Sequence, residues 1–363
     1  MLRVFSDFLV LKSRLSLLGI ASALLFGSAF FALAQTSQAV PSGKALEIYF
    51  VDVEGGQATL FVTPEGRSLL VDTGWPGNAG RDADRIVAAA KKSGISKIDF
   101  VLLTHYHRDH IGGAPQLLAR IPIGAFIDHG PNREPDNQET EQGWVAYQKV
   151  IADQGAKRIT AKVGDILPIR GFRAQVVSSD GELLRKPLPN AGAQNPVCST
   201  TDKRPADQTE NARSLGTIIT FGKARILDLG DLTWDKEMEL VCPANKLGHV
   251  DIFIVSHHGS LQSNSPALLA AISPRIAIMD NGADKGGSPS SWDTIKNSPK
   301  LEDLWQLHFS NEGGVAHSSA GPFVANLAEP DAGNYLKLSV WPDGNLEVFN
   351  SRTQSTKHYT PSR

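Results

Sequence analysis

The sequence predicts a layered α/β domain in which two β-sheets pack together and helices cover their outer faces. Of the 363 residues, 41% are hydrophobic and 20% are charged, which suffices for a large core and excludes intrinsic disorder. Short apolar runs bounded by turns recur along the chain, and segments with helical periodicity lie between them. The second half repeats this alternation, as expected for two strand-rich halves packed in layers.

The first half alternates strands with helices. Apolar runs at 48–51, 59–62 and 69–71 are separated by glycine- and proline-containing turns and predict three strands. The periodicity then predicts, in order, a helix at 84–92, a strand at 98–103, a helix near 114–119, a strand at 123–127, a helix around 144–151 and strands within 163–177.

Residues 179–213 lose this periodicity and are rich in Pro, Asn, Gly, Gln, Ser and Thr. A loop of this length inside a domain is usually functional or mobile, so we expect it to border the active site. The elements predicted after it are strands at 215–221 and 224–229, a helix at 234–241, a strand at 250–255, a helix at 267–272, a strand at 275–279 and a hairpin of 336–340 with 346–348. The domain is therefore predicted over 45–352, with a polar linker at 35–44 and a C-terminal tail at 353–363.

The first 34 residues have the composition of a secretory signal peptide. Three basic residues precede an apolar run over 15–34, and Ala32-Leu33-Ala34 offers the small-x-small pattern that signal peptidase recognises. We expect cleavage after Ala34 and export to the periplasm or the extracellular space, with no stable membrane anchorage. An uncleaved anchor is the alternative, because about twenty apolar residues also span a bilayer.

Charge and cysteine content narrow the possible partners and ligands. The formal net charge is -2, so no chain-wide basic field indicates nucleic acid or an anionic membrane. Two cysteines exclude a disulfide scaffold and a zinc site built mainly from thiolates. Outside the cytoplasm Cys198 and Cys242 can pair, or both can be buried free thiols, and the sequence leaves this choice open. The sequence also does not indicate an oligomeric state.

A histidine-rich motif follows the strand predicted at 98–103. It reads Thr104-His105-Tyr106-His107-Arg108-Asp109-His110, so three of the ten histidines lie within six residues. Imidazole and carboxylate are ligands that divalent zinc or manganese accepts, and a turn at a strand end can direct alternate side chains inward. The alternative, a histidine-rich surface turn, is a poor explanation of so dense a cluster.

Two more strands are followed by residues of the same chemical types. Asp231 follows the strand at 224–229, and His257 and His258 follow the strand at 250–255. A carboxylate such as Asp231 can bridge two cations, although it can also cap the following helix. Of the two adjacent histidines, one suffices as a ligand, and the other can donate a proton or orient the ligand.

These residues resemble the signature of the metallo-β-lactamase fold hydrolases, at His105, His107, Asp109 and His110. Within that superfamily, Gly230-Asp231, the His-His-Gly-Ser at 257–260 and the Phe-Val-Asp-Val at 50–53 are similar to the hydrolase domain of ComEC-type DNA-uptake proteins. The resemblance implies a single domain built as a four-layer αββα sandwich. It also implies two divalent metal ions at the sheet edges, most often zinc, with manganese as the alternative.

The resemblance assigns roles position by position. His105 and His107 would hold the first metal, Asp109 and His110 the second, and Asp231 would bridge them. His257 or His258 would complete the coordination of the second metal, and Asp109 and His258 are the candidate catalytic residues. Asp72 would orient the ligand loop, while Asp52 would either share that task or be a structural turn carboxylate.

The sequence departs from the family pattern in the middle motif. Many members supply another histidine there, but residues 130–230 contain none. Asn211 with Ser214 fits the ComEC-type variant, and His129 is a candidate to reach the site, unless it is a solvated turn residue. A histidine that relatives often place before Ser288-Pro289 is also missing. We therefore expect a weakly held first metal.

The function predicted is hydrolysis by a hydroxide that bridges two metal ions about 3.5–4 Å apart. The ComEC-type resemblance favours phosphodiester substrates, either small molecules or nucleic acid. The same machinery also fits a small-molecule ester, lactone or β-lactam hydrolase, and a metal-binding or sensing protein without turnover is a third possibility. No Gly-x-Ser-x-Gly motif suggests a serine nucleophile instead.

Overall fold

The computed structural model describes residues 43–327 and 332–361. The predicted signal peptide at 1–34 and all but the last two residues of the linker at 35–44 lie outside these ranges. Within them, no helix has the length and apolarity needed to cross a bilayer.

The elements that the sequence predicts occur in the predicted order, and further elements lie between and after them. The strands are β1 (Leu46–Phe50), β2 (Thr59–Val62), β3 (Ser68–Val71), β4 (Ile98–Leu102), β5 (Ile123–Asp128), β6 (Lys157–Thr160), β7 (Arg173–Ser179), β8 (Glu182–Leu183), β9 (Gly216–Phe221), β10 (Ala224–Asp228), β11 (Ile252–Ile254), β12 (Ile276–Met279), β13 (Asp303–His308), β14 (Val324–Asn326), β15 (Leu336–Val340), β16 (Leu346–Asn350) and β17 (Ser355–Tyr359). The helices are α1 (Arg81–Lys92), α2 (Arg108–Ile111), α3 (Ala114–Leu118), α4 (Gln138–Gln154), α5 (Trp234–Val241), α6 (Pro266–Ile272) and α7 (Pro289–Lys296).

The strands form two mixed sheets. The first has the order β17-β16-β15-β1-β2-β3-β4-β5-β6, and the second has the order β14-β13-β12-β11-β10-β9-β7-β8. Strands β3 to β6 are parallel in the first sheet, and β10 to β14 are parallel in the second. Parallel neighbours end at the same edge, so each sheet gathers several loops at the carboxyl ends of its strands.

Three apolar layers hold the domain together. The first lies between the sheets and includes Phe61 and Trp305. The second packs the outer face of the first sheet against α1 to α4 through residues such as Ile86 and Tyr147, and the third packs the second sheet against α5 to α7. This arrangement is the four-layer αββα sandwich, so the predicted fold class is confirmed.

Helix α4 is longer than the apolar spacing of the sequence predicts. Its N-cap, Asn137, accepts hydrogen bonds from the backbone N–H groups of Glu139 and Thr140 through its side chain. Gly155 ends the helix in the left-handed region, with φ of 60°. The apolar positions alone predict only 144–151, whereas the two capping residues set the full length.

The strands predicted within 163–177 are a single strand in the structure, β7. Gly164 and Gly171 both have positive φ, and the segment before β7 turns at these residues, with Ile166 making an isolated bridge to Gln175. The two glycines therefore place turns in the segment before β7, although its apolar residues predict a strand.

The tail predicted at 353–363 is wrong, because β17 lies within it and pairs with β16 along its whole length. Its last residue, Tyr359, is buried, and its hydroxyl accepts a hydrogen bond from Trp305 Nε1 at 2.9 Å and donates one to Asp303 at 2.6 Å. These contacts join the two sheets. The domain boundary predicted at 352 is therefore too early, and the domain continues at least to Tyr359.

The long loop at 179–213 is covalently tied to the rest of the domain. Cys198 and Cys242 form a disulfide, which connects this loop to the end of α5. The bridge closes a loop of 44 residues. This resolves the alternative that the sequence left open.

Replacing both Cys198 and Cys242 with alanine is expected to lower the free energy of unfolding by about 4 kcal/mol, because a cross-link over this length restricts the unfolded chain. Urea unfolding of the wild type and of the double variant measures this difference in free energy. Treating the wild type with a reductant serves as the matched control and is expected to give the same loss, and an unchanged midpoint in both would contradict the assignment.

Candidate metal centre

The polar residues of interest lie where parallel strands end. His105 and the rest of the histidine-rich motif follow β4, and Asp72 follows β3 in the same sheet. Asp231 and His258 follow β10 and β11, which are neighbours in the second sheet. The two sets meet across the seam between the sheets.

Four side chains form one buried group there. Their ligand atoms all lie within 4.8 Å of one another, and the group consists of Asp109, His110, Asp231 and His258. Asp109 Oδ2 lies 3.2 Å from Nε2 of both His110 and His258, and Asp231 lies 3.3 Å from His110 Nε2 and 3.5 Å from His258 Nε2. The group offers two carboxylates and two imidazoles, a donor set that suits zinc or manganese.

The charges of this group depend on one another. Burial alone would raise the pKa of Asp231, but His110, His257 and His258 hold it well below its usual range. Burial alone would lower the pKa of His110, yet the carboxylates of Asp231 and Asp109 raise it well above its usual range. The same carboxylate at 231 outweighs burial and raises the pKa of His258 to about 9. The pocket thus favours positive charge between its carboxylates, which a divalent cation would supply.

The histidine nitrogens are arranged as a metal site requires. His110 Nδ1 lies 2.7 Å from Asp72 Oδ2, and His258 Nδ1 lies 3.4 Å from Asp280. Both rings therefore present Nε2 to the group, and these two atoms face each other at 3.1 Å. Carboxylates on the outer nitrogens fix ring orientation and tautomer in metal-bound histidines. The residues present therefore fit a divalent ion.

His105 lies at the border of this group. Its Nδ1 is 3.1 Å from the Thr104 hydroxyl, while its buried Nε2 has no hydrogen-bond partner among the described residues and lies 3.8 Å from Asp231 Oδ2. Burial is the main reason that its pKa is well below the usual value, so the ring is neutral with a free lone pair. His105 can therefore serve as a ligand for an ion bound beside Asp231.

His107 faces a different partner. Its Nε2 lies 3.0 Å from the carboxylate of Glu134, and the structure does not bring it into the four-residue group. Its ring is nevertheless only 4.8 Å from that of His105, centroid to centroid. A carboxylate that accepts from Nε2 leaves Nδ1 as the unprotonated atom. His107 would then offer Nδ1 to a metal next to His105.

The adjacent histidines after β11 take different positions. Both have left-handed backbone, with φ of 53°, within the turn Ser256–Gly259. This turn brings His258 into the four-residue group and leaves His257 at its edge, with Nε2 3.4 Å from Asp231 Oδ2. Burial lowers the pKa of His257 to about 4, so it is uncharged at neutral pH.

Asp72 and the glycine turn before β2 hold the histidine-rich motif in place. Asp72 is fully buried and accepts hydrogen bonds from the backbone and hydroxyl of Thr104 in addition to its contact with His110. The carbonyl of Asp109 accepts from the N–H of Gln57, and a Cβ at Gly56 would lie 2.4 Å from that carbonyl oxygen. Only glycine permits this approach.

Three further candidates from the sequence, Asp52, His129 and Asn211, also lie outside the four-residue group. Asp52 contacts His308 Nε2 at 2.6 Å and Arg85 at 3.1 Å, and it forms a separate group with Glu54 and His308. His129 is buried and lies 3.0 Å from Glu210 through Nε2, so it is not a solvated turn residue. Asn211 lies in a short turn, where its carbonyl accepts from the N–H of Ser214.

Asp231 does not cap a helix. The N-cap of α5 is Thr233, and the N–H of Asp231 is held by the hydroxyl of Ser214 at 3.2 Å. The helix-cap alternative is therefore wrong, and the carboxylate lies in the buried group instead.

No sequence pattern predicted four charged residues that surround the group. Asp280 and Glu134 contact His258 and His107, as described above. Glu210 is fully buried and accepts hydrogen bonds from the backbone of Tyr106 and Arg133 as well as His129, so it anchors the long loop beside the site. Lys285 contacts the carboxylate of Asp109. All four are in loops or at strand ends, where no periodicity marks them.

Replacing Glu134 with alanine is expected to weaken metal binding beside His105 and His107 by about ten- to a hundred-fold, because the carboxylate that orients the His107 ring is lost. The metal affinity of Glu134→Gln should lie between those of the wild type and Glu134→Ala, since the amide oxygen still accepts a hydrogen bond from His107 Nε2. The readout is metal content by mass spectrometry after equilibration with a competing chelator. Glu239→Ala, on the exposed face of α5, is the control, and equal metal content in all variants would rule out this role.

Asp228 is expected to make stability depend on pH. It is buried beside Gln57 Nε2, at 2.9 Å, and burial raises its pKa from 3.8 to about 7. Between pH 4 and pH 7 the unfolded chain loses a proton that the folded chain keeps, so folding stability falls as pH rises through this window.

Asp228→Asn removes the titrating group and with it this pH dependence of stability. The new amide can still form a hydrogen bond with Gln57 if the Gln57 amide rotates by 180°. Relative to the variant, the chelated wild type should lose up to about 4 kcal/mol between pH 4 and pH 8. Denaturant unfolding across this range measures the difference, and a difference that does not change with pH would contradict the expectation.

Comparison with known proteins adds an independent line of evidence. The sequence profile of the Metallo-beta-lactamase superfamily matches residues 51–193. Recombination protein 2 of Haemophilus influenzae is 25% identical over 234 residues, which are 64% of this chain and 24% of that protein. Competence protein ComA of Neisseria gonorrhoeae is 25% identical over 247 residues, 68% of this chain and 28% of that protein.

A hydroxyacylglutathione hydrolase of Xanthomonas axonopodis is 38% identical over 76 residues, 21% of this chain and 27% of that protein. The chain spans about a quarter of the length of the recombination and competence proteins that it matches. The chain therefore has the metallo-β-lactamase fold, and its residues 51–193 match the profile of the superfamily, in agreement with a ComEC-type subgroup.

Proposed function

We propose that this protein is an exported, metal-dependent hydrolase of phosphodiesters. The observation that carries the proposal is the buried group of Asp109, His110, Asp231 and His258, in which the outer nitrogen of each histidine faces a carboxylate. Such a group is costly to bury without a cation, and similarity to the superfamily supplies the reaction class.

The chain's own residues would divide the work as follows. Asp109, His110, Asp231 and His258 hold the ion, with His105 as a further ligand beside Asp231. A bound divalent ion supplies Lewis acidity and lowers the pKa of coordinated water. Asp72 keeps the His110 ring in place through a hydrogen bond, and the carboxylate of Asp280 lies 3.4 Å from Nδ1 of His258, which limits reorganisation during the reaction. His257 is neutral at the edge of the group and is available to accept a proton at Nε2.

Two observations favour phosphodiesters over other electrophiles. Two of the relatives reported above carry names that refer to recombination and to competence, and we take both names to point to nucleic acid. In addition, the partly exposed ammonium group of Lys285 contacts Asp109, and a positive charge beside the ligand group favours an anionic substrate. The substrate class proposed is therefore a phosphodiester, in a nucleic acid or a small molecule.

Export is supported by the covalent chemistry of the chain. The Cys198–Cys242 disulfide is of a kind that persists in oxidising compartments and is rare in the cytosol. The apolar segment at 15–34 has the composition of a signal peptide, which would direct the chain into the secretory pathway. A periplasmic or extracellular location follows from both.

A second candidate function is hydrolysis of a small-molecule ester or thioester. The match to a hydroxyacylglutathione hydrolase favours it, at 38% identity over a 76-residue segment. The same ligand group would serve both reactions, and only the recognition of the substrate would differ. Turnover of esters without turnover of phosphodiesters would favour this candidate, and silence on both would favour a binding or sensing role.

The proposal predicts chelator-sensitive hydrolysis of bis(p-nitrophenyl) phosphate by the mature protein, with bound metal measured by mass spectrometry. Asp231→Asn and His258→Ala are each expected to lower kcat/KM by at least about a hundred-fold, because both remove a ligand from the buried group. His249→Ala, at an exposed histidine, is the matched control. Turnover that survives chelation, or survives both ligand substitutions, would refute the proposal.

A further inference from the structure

We infer that Lys285 recognises the negative charge of the substrate and makes the site selective for anionic phosphoryl compounds over neutral esters. The inference rests on the proposed hydrolase function and names a feature of its substrate. No motif in the sequence marks this residue, so its role follows from its place beside the buried group.

Lys285 lies at the boundary between the buried group and solvent. Its Nζ contacts Asp109 Oδ2, whose side chain is 8% exposed, while the lysine side chain itself is 34% exposed. The ammonium group also lies 4.9 Å from the centre of the Trp75 ring. A cation held over an aromatic face keeps part of its stabilisation when its ionic partner is engaged elsewhere.

The backbone around Lys285 is held tightly against the site. The N–H of Gly282 donates to the carbonyl of Lys285, and the N–H of Gly287 donates to the carbonyl of His258. Ser310 donates its hydroxyl to the carbonyl of Gly286 at 3.0 Å. A Cβ at Gly55 would lie 2.9 Å from the Lys285 Cβ, so the glycine turn closes on this loop as well. The backbone of Lys285 is therefore fixed beside the group, and the contacts with Asp109 and Trp75 hold the ammonium group there.

The electrostatic balance would change if the group held a divalent ion. Asp109 would then be a ligand of the ion, and Lys285 would remain as a second positive charge beside Asp109 in a partly desolvated site. Two such charges repel unless an anion lies between them. A phosphodiester has two non-bridging oxygens that share one negative charge, so one can face the ion and the other can accept a hydrogen bond from Nζ. A neutral ester has no equivalent group.

The experiment compares wild type with Lys285→Met and Lys285→Arg, as full-length proteins loaded with metal. Lys91→Met, at an exposed lysine of α1, is the matched control. Binding of inorganic phosphate is measured by equilibrium titration. Hydrolysis is measured with bis(p-nitrophenyl) phosphate and with p-nitrophenyl acetate, which share a leaving group and differ in charge. Metal content is determined for every variant.

For Lys285→Met we expect phosphate binding to weaken by about ten-fold or more, as for loss of one charge-assisted hydrogen bond. KM for the phosphodiester should rise to a similar extent, while kcat/KM for the acetate stays within about two-fold and metal content is unchanged. Lys285→Arg should retain most of the phosphate affinity, because it keeps the charge and the donors.

Unchanged phosphate binding in Lys285→Met would overturn the inference. An increase in its metal content would overturn it too, because the lysine would then be a competitor of the ion at Asp109. Failure of the proposed function has a separate signature: the wild type would leave the phosphodiester intact while its phosphate affinity still depended on Lys285. Phosphodiester turnover with the same KM in wild type and Lys285→Met would support the proposed function and contradict the inference about Lys285.

Discussion

The structure depends on one electrostatic constraint: two carboxylates and two imidazoles are packed out of water with their ligand atoms within 4.8 Å of one another. Carboxylates this close repel when unscreened and lose hydration, so the pocket is stable only when positive charge lies among them. The surrounding residues serve this requirement. Asp72 orients the ring of His110 through a hydrogen bond, Asp280 places a negative charge 3.4 Å from Nδ1 of His258, and Ser214 positions the backbone of Asp231.

The sandwich supplies the rigidity that such a group needs. Its ligands come from both sheets, so any sliding of one sheet over the other would separate them. The apolar layer between the sheets resists sliding, and polar contacts fix the register across the seam. Gln57 bonds Asp228 at 2.9 Å, and His308 contacts Asp52 at 2.6 Å. The separate group around Asp52 thus has a structural explanation, as a tie between the two sheets.

Most of the fold and the residues of the four-residue group could be predicted because their signals are local. Apolar runs marked β4, β10 and β11, and Asp109, Asp231 and His258 follow them within a few positions. Glu134, Glu210 and Lys285 could not be predicted, because their roles arise from contacts between loops distant in sequence. Strand β17 was missed for a related reason. It is polar and mostly exposed, and backbone pairing with β16 rather than an apolar face keeps it in the sheet.

The pairing of β1 with β15 has a consequence for how the chain acquires its structure. Leu46, near the start of the described residues, pairs with Val340, near their end. The first sheet therefore cannot be completed until the chain has been synthesised as far as β15, and contacts so distant in sequence form slowly. A nascent chain of this topology stays unfolded for longer than one built from local contacts.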